Sequence, residues 1–98
     1  MKQWRVFVTP TAEKLTKTLP FRARDFILKE FPGLVKKNPF AGSQLSGPLS
    51  RFRSFHFSSE GKPYRIAYSI DQNVSEIIVH YVGYRGNFYE RLRRYVGR

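Results

Sequence analysis

The stretch from Ser54 to Val82 holds the runs in which apolar side chains recur at alternate positions, and few other patterns restrict a short chain so strongly. Tyr64, Ile66, Tyr68 and Ile70 share one parity while Arg65, Ala67 and Ser69 share the other, which is the period of a strand with one buried face. Asp71-Gln72-Asn73 then supplies turn-forming side chains, and Ser75 to Val82 resumes with β-branched and aromatic residues. Upstream, Phe52 to Phe57 alternates as well, and Ser58-Ser59-Glu60-Gly61-Lys62-Pro63 connects it to Tyr64. A meander of three antiparallel strands is predicted, and the other segments must pack on it.

Around this centre the order is legible. Trp4 to Val8 reads as a short strand, with Trp4, Val6 and Val8 on one face. Thr9-Pro10 opens a helix, the hydroxyl capping a free N–H and the proline taking a first-turn position. Ala12, Leu15 and Leu19 form its stripe, and Pro20 ends it. From Phe21 a second helix carries Ala23, Ile27, Phe31, Leu34 and Val35 on one face, with an end near Glu30 or a kink expected at Pro32-Gly33. Phe40 to Arg51, with Gly42, Ser43, Gly47, Pro48 and Ser50, reads as a loop. After the meander, Asn87 with Glu90 has the form of a capping box, and Phe88, Leu92, Tyr95 and Val96 give a C-terminal helix its apolar face. The predicted class is α+β, in the order βααβββα: a small twisted antiparallel sheet with two N-terminal helices and a short C-terminal helix, one domain over residues 1–98.

The charge narrows the partners. Eighteen Lys and Arg against seven Asp and Glu leave a formal charge of +11. It is spread along the chain, nine cations against three acids up to Ser50 and nine against four after it, so it belongs to the folded body and favours a polyanionic or acidic partner. Nine Phe, six Tyr and one Trp supply enough burial to argue against disorder. With no cysteine, disulfides, thiol catalysis and thiolate-bound metals are excluded. No run approaches the roughly 20 apolar residues of a membrane span, and the expectation is a cytoplasmic protein without a membrane partner.

Arg53, Arg65 and Arg85 are the first candidates for phosphate contact, because guanidinium presents a rigid, permanently charged fork to phosphate oxygens. Each alone reads more often as a solvated surface group, and convergence of the three near one sheet edge would bring the two readings level. Tyr89, four residues beyond Arg85, could donate a hydrogen bond, exchange a proton, or simply pack. Tyr84 could stack on a base. His56 could act as a base, whereas His80 reads as a sheet histidine with a local hydrogen bond. Two histidines 24 residues apart and scattered acids specify no metal site. The Gly42 to Gly47 stretch lacks the lysine and setting of a phosphate-binding loop.

These segments together resemble the RelE/ParE superfamily, the toxic halves of type II toxin–antitoxin pairs. Phe7-Val8-Thr9-Pro10-Thr11-Ala12-Glu13-Lys14, Gln44-Leu45-Ser46-Gly47-Pro48-Leu49, Pro63-Tyr64-Arg65-Ile66-Ala67-Tyr68 and Val82-Gly83-Tyr84-Arg85 followed by Phe88-Tyr89 carry the likeness in family order. The resemblance, closer to the RelE-like branch, implies an mRNA endoribonuclease acting on the ribosome without a metal or other cofactor. It would be neutralised by a cognate antitoxin. Arg65 and Arg85 would stabilise phosphate, Arg53 would position RNA or assist proton transfer, and Tyr89 would orient a base or transfer a proton, with His56 and Tyr84 as auxiliaries. Phe55 stands where RelE has a second basic residue, and Tyr84 where the family often has His or Lys. ParE-like members on the same scaffold inhibit DNA gyrase instead, and a nucleic-acid-binding module is the third reading.

Overall fold

A computed structural model describes residues 3–97. The chain forms β1 (Arg5–Val8), α1 (Pro10–Lys17), α2 (Phe21–Asp25), a π-helical turn (Phe26–Glu30), α3 (Phe31–Lys37), β2 (Ser43–Gln44), a 3₁₀ turn (Gly47–Leu49), β3 (Arg53–Ser59), β4 (Lys62–Asp71), β5 (Glu76–Tyr84) and α4 (Phe88–Val96). The sheet has five strands in the order β1-β5-β4-β3-β2. The predicted meander is its centre, and β1 adds to β5 in parallel, so the sheet is antiparallel except at that edge. The segment read as a loop contains β2, which pairs Ser43 with Ser54 and Gln44 with Arg53. Two residues are too few for alternation to reveal a strand.

Local chemistry explains the joints. Thr9 caps α1 as its position predicted, its Oγ1 accepting from the Ala12 N–H at 3.1 Å. Glu60 and Gly61 both have positive φ, 51° and 78°, the conformation that closes a two-residue hairpin between β3 and β4. Asn87 departs from the capping-box reading: it sits in the left-handed region at φ 56° and its side chain makes no cap hydrogen bond.

The helical rod over residues 21–37 does not break at Pro32. It widens in the preceding π turn, where the Phe31 N–H reaches back to the Phe26 carbonyl. Without that widening the Pro32 ring would meet the Leu28 carbonyl four residues earlier. The extra residue also resets the helix face. Steps of four in a regular α-helix drift by about 40° each, yet Ala23, Ile27, Phe31 and Val35 all stay buried. Leu34, placed on that face by the sequence, is turned outward and exposed.

Two apolar clusters lie on opposite faces of the sheet. Ala23, Ile27, Phe31 and Val35 pack with Phe57, Tyr64, Ile66, Tyr68, Ile77, Val79 and Val82 on one face, while Phe88 and Leu92 of α4 pack with Leu49, Phe52 and Ala67 on the other. Val79 and Val82 share a face because β5 bulges: Tyr68 pairs with Val79 and Ala67 with Tyr81, leaving His80 as the extra residue. His80 makes the predicted local bond, 2.8 Å between its Nε2 and Ser69 Oγ, and burial together with nearby Arg51 lowers its pKa, favouring the neutral ring.

Tyr68 ties the 39–42 segment to the sheet. Its buried hydroxyl accepts from the Gly42 N–H at 2.8 Å and donates to the Pro39 carbonyl at 2.7 Å. Gly42 is the residue that permits this approach, since a Cβ there would sit 2.9 Å from both the Ser54 carbonyl oxygen and the Tyr68 ring. Tyr68→Phe should therefore lower stability by about 1–3 kcal/mol, because both backbone partners stay buried and unpaired. Urea denaturation would read it as a lower midpoint at unchanged slope.

Candidate functional site

Strand parity decides which side chains can meet. On β3, Ser54 and His56 face α4, whereas Phe55 and Phe57 pack against the helical rod. On β4, Arg65 pairs with His56 across the strands and points to the same face. Beyond β5, the 84–86 turn delivers Arg85, anchored by its N–H on the Pro63 carbonyl at 3.1 Å. The start of α4 then brings Tyr89 down onto Arg65.

Arg65, Tyr89 and His56 form one network. An Arg65 Nη1–H donates to the Tyr89 hydroxyl, and the Arg65 guanidinium also lies over the Tyr89 ring, 4.7 Å from its centroid. The same hydroxyl is 3.4 Å from Ser54 Oγ and 3.4 Å from His56 Nε2. Having accepted from Arg65, the phenol still has its own proton to give, to Ser54, to His56 or to an oxygen arriving from solvent. An open hollow of about 370 Å³ lies beside this network, lined by His56, Phe57, Ser58, Pro63, Tyr64, Arg65 and Arg85. Partial burial and then the Arg65 charge lower the pKa of His56, so near neutrality the ring is uncharged and can accept a proton.

Among the described residues, ion pairs join Arg5 to Glu76, Lys17 to Glu13, Arg22 to Glu60 and Lys29 to Asp25, leaving Arg65 and Arg85 outside them. Two uncompensated guanidiniums at one hollow favour an anion there. Among the described residues no group of three His, Asp or Glu side chains could hold a metal ion.

Four of the six sequence candidates meet here: Arg65, Arg85, Tyr89 and His56. Two do not. Arg53 is three residues from His56 and so falls on the opposite face, where its Nε donates to the Gly42 carbonyl at 2.8 Å, its Nη2 to the Phe40 carbonyl at 3.3 Å, and its guanidinium covers the Phe40 ring. It braces the 40–42 segment rather than converging with Arg65. Tyr84 pairs with Tyr64, also on the helical-rod face, and its ring meets the Tyr64 ring edge-on at 6.1 Å. Ser54, buried beneath the Tyr89 hydroxyl, was not singled out by the sequence, although its shared parity with His56 was there to find it.

Fold and site together define a small basic α+β protein whose sheet presents an open hollow beside a network of arginine, tyrosine and histidine. The chain belongs to the ParE-like toxins of type II bacterial toxin–antitoxin systems, whose family model matches residues 6–93. Similar solved structures are RelE toxins. The RelBE2 toxin–antitoxin complex of Mycobacterium tuberculosis contains a chain 27% identical, with a TM-score of 0.72 over 86% of this chain and 100% of that one. A free mutant form of the Escherichia coli RelE toxin superposes with a TM-score of 0.72 at 16% identity, over 97% of this chain and 99% of that one. In the archaeal RelE–RelB complex of Pyrococcus horikoshii the values are 0.58 and 20%, over 87% and 98%. A search of curated protein sequences returns no match. Among the described residues no helix is long and apolar enough to cross a membrane.

Proposed function

We propose that this toxin is an endoribonuclease that cuts mRNA on the ribosome by attack of a ribose 2′-OH on the adjacent phosphate. The observation carrying this reading is the contact of Tyr89 with both Arg65 and His56 beside a hollow that also receives Arg85. Neutral His56 takes the 2′-OH proton, the 2′-oxygen bonds to phosphorus, and the bond to the 5′-oxygen breaks. Tyr89 gives its proton to that leaving oxygen. The products are a 2′,3′-cyclic phosphate and a 5′-hydroxyl, and proton exchange with water restores both side chains. Arg65 and Arg85 stabilise the charge that accumulates on the phosphate oxygens. The chemistry runs through side chains alone, with no metal required.

This activity lies in the cytoplasm, under control of a cognate antitoxin. Acidic charge on that partner would answer the +11 of this chain, and exposed Phe21, Leu28 and Leu34 offer apolar anchor points.

Primer-extension mapping of cellular mRNA after brief expression tests the proposal. New ends within translated regions, lost in Arg85→Ala, are the expected result; intact mRNA with inhibited DNA gyrase would replace it with the gyrase reading. A pH profile tests the base. His56 has a pKa below its ordinary 6.5, so cleavage by the native protein should hold its rate near neutrality and fall on acidification only below about that pH. His56→Gln should cut the rate about 10²–10⁴-fold and remove that acid limb.

A further inference from the structure

A second open hollow, of about 330 Å³, lies away from the groups assigned above, lined by Thr11 and Leu15 of α1, Tyr81 of β5, and Arg91, Arg94 and Tyr95 of α4. Strand lengths create it. β1 stops at Val8, opposite Val79, so the rest of β5 lies beside α1 rather than beside a strand. Across that gap stands α4, with Arg91, Arg94 and Tyr95 at i, i+3 and i+4 on one helix face.

The lining is ordered before any ligand arrives. The Tyr81 and Tyr95 rings meet at 5.5 Å between centroids, tilted by 39°, and Tyr81 is also held edge-on by Phe88 at 5.7 Å. Arg91 Nη2 donates to the Tyr84 and Gly86 carbonyls at 3.1 and 2.8 Å, which pins its guanidinium to the turn that carries Arg85. Among the described residues none of those lining the hollow is acidic.

We infer that this hollow binds a segment of single-stranded RNA beyond the phosphate that is cut, with a base against the Tyr95 and Tyr81 rings and a neighbouring phosphate on Arg91 and Arg94. The inference rests on the RNA-cleaving reading above. Guanidinium forks match phosphate oxygens, and phenol rings accept any base through its flat face, so the pairing of the two is the chemistry of sequence-tolerant single-strand binding. A carboxylate-bearing peptide would satisfy the arginines but leave the rings without a flat partner. The placement agrees. Tyr81 and Arg85 are four residues apart, roughly 13 Å at strand rise, and Arg91 bonds the turn that carries Arg85, so the two hollows are within reach of one short single strand.

The test uses the intact toxin and a fluorescein-labelled single-stranded oligoribonucleotide with 2′-O-methyl sugars, which lacks the attacking hydroxyl. Anisotropy titrations are run over a range of salt concentrations. Arg94→Gln and Tyr95→Leu should each weaken binding by about 5-fold or more, and Arg94→Gln should also reduce the slope of log affinity against log salt by about 0.7. Arg94 is exposed, so Arg94→Gln reads the site even if Tyr95→Leu does not fold. Unchanged affinity and salt slope in Arg94→Gln would overturn the inference, as would a loss confined to antitoxin binding. Arg94-dependent binding with mRNA intact in cells would remove the ribonuclease reading and keep the RNA site. Mapped cleavage with Arg94-independent binding would remove the RNA site and keep the ribonuclease.

Discussion

Arg65→Ala should reduce mRNA cleavage by about 10²–10³-fold, the usual cost of removing one donor aimed at transition-state charge. Two effects coincide at this residue. The guanidinium faces the hollow where phosphate would sit, and it also holds Tyr89 by a hydrogen bond and by covering its ring. Arg65→Lys retains the charge but loses the planar fork and the ring contact, so it should recover only part of the rate. Cleavage of a defined message in a purified translation system separates the three proteins. Equal rates in all three would end the case for this hollow as the place where RNA is cut.

Phe31→Ala should lower stability by about 3–5 kcal/mol, a large share of the roughly 5–15 kcal/mol that holds a small domain together. The residue is fully buried at the start of α3 and stands edge-on to Phe55 at 5.1 Å and to Tyr68 at 5.7 Å, joining the helical rod to two strands. At roughly 4–8 °C per kcal/mol for a domain of this size, the melting temperature should fall by well over 10 °C. Leu34→Ala provides the contrast. The sequence places Leu34 on the same face, but the π turn rotates it outward, and its loss should stay within about 0.5 kcal/mol. Equal losses at the two positions would mean that the rod is not seated as described.

These two positions also mark how far the sequence could be read. The meander was legible because alternation has a period of two and persists over long strands. The cap at Thr9 was legible because hydroxyl and proline act locally. The π turn was not, because it relieves a clash between Pro32 and its own helix while answering the packing of Phe31 on the sheet. The bulge at His80 has the same character: nothing in Ile77 to Val82 shows that one residue is skipped, and the skip appears only when β5 is paired with β4.

The candidate site divides along the same line. Arg65 and His56 could be placed on one face by counting residues along two strands in register. That counting also separates Arg53 from His56, three positions apart, so the convergence expected of Arg53 failed on strand parity alone. Cross-strand pairing with Tyr64 sets Tyr84 on the helical-rod face, away from the Arg65, Tyr89 and His56 network, and Arg91, Arg94 and Tyr95 looked like an ordinary helix surface until α1 was set opposite them.

The amino-acid order by itself determined the long strands, the main helical segments, their order and the positive field, because periodicity and charge are properties of neighbouring residues. Only the tertiary structure decided which cations share a hollow, which tyrosine meets arginine and histidine, and where a second hollow opens. Those depend on register, on a bulge and on where a short strand stops, and each is settled by packing between segments far apart in the chain.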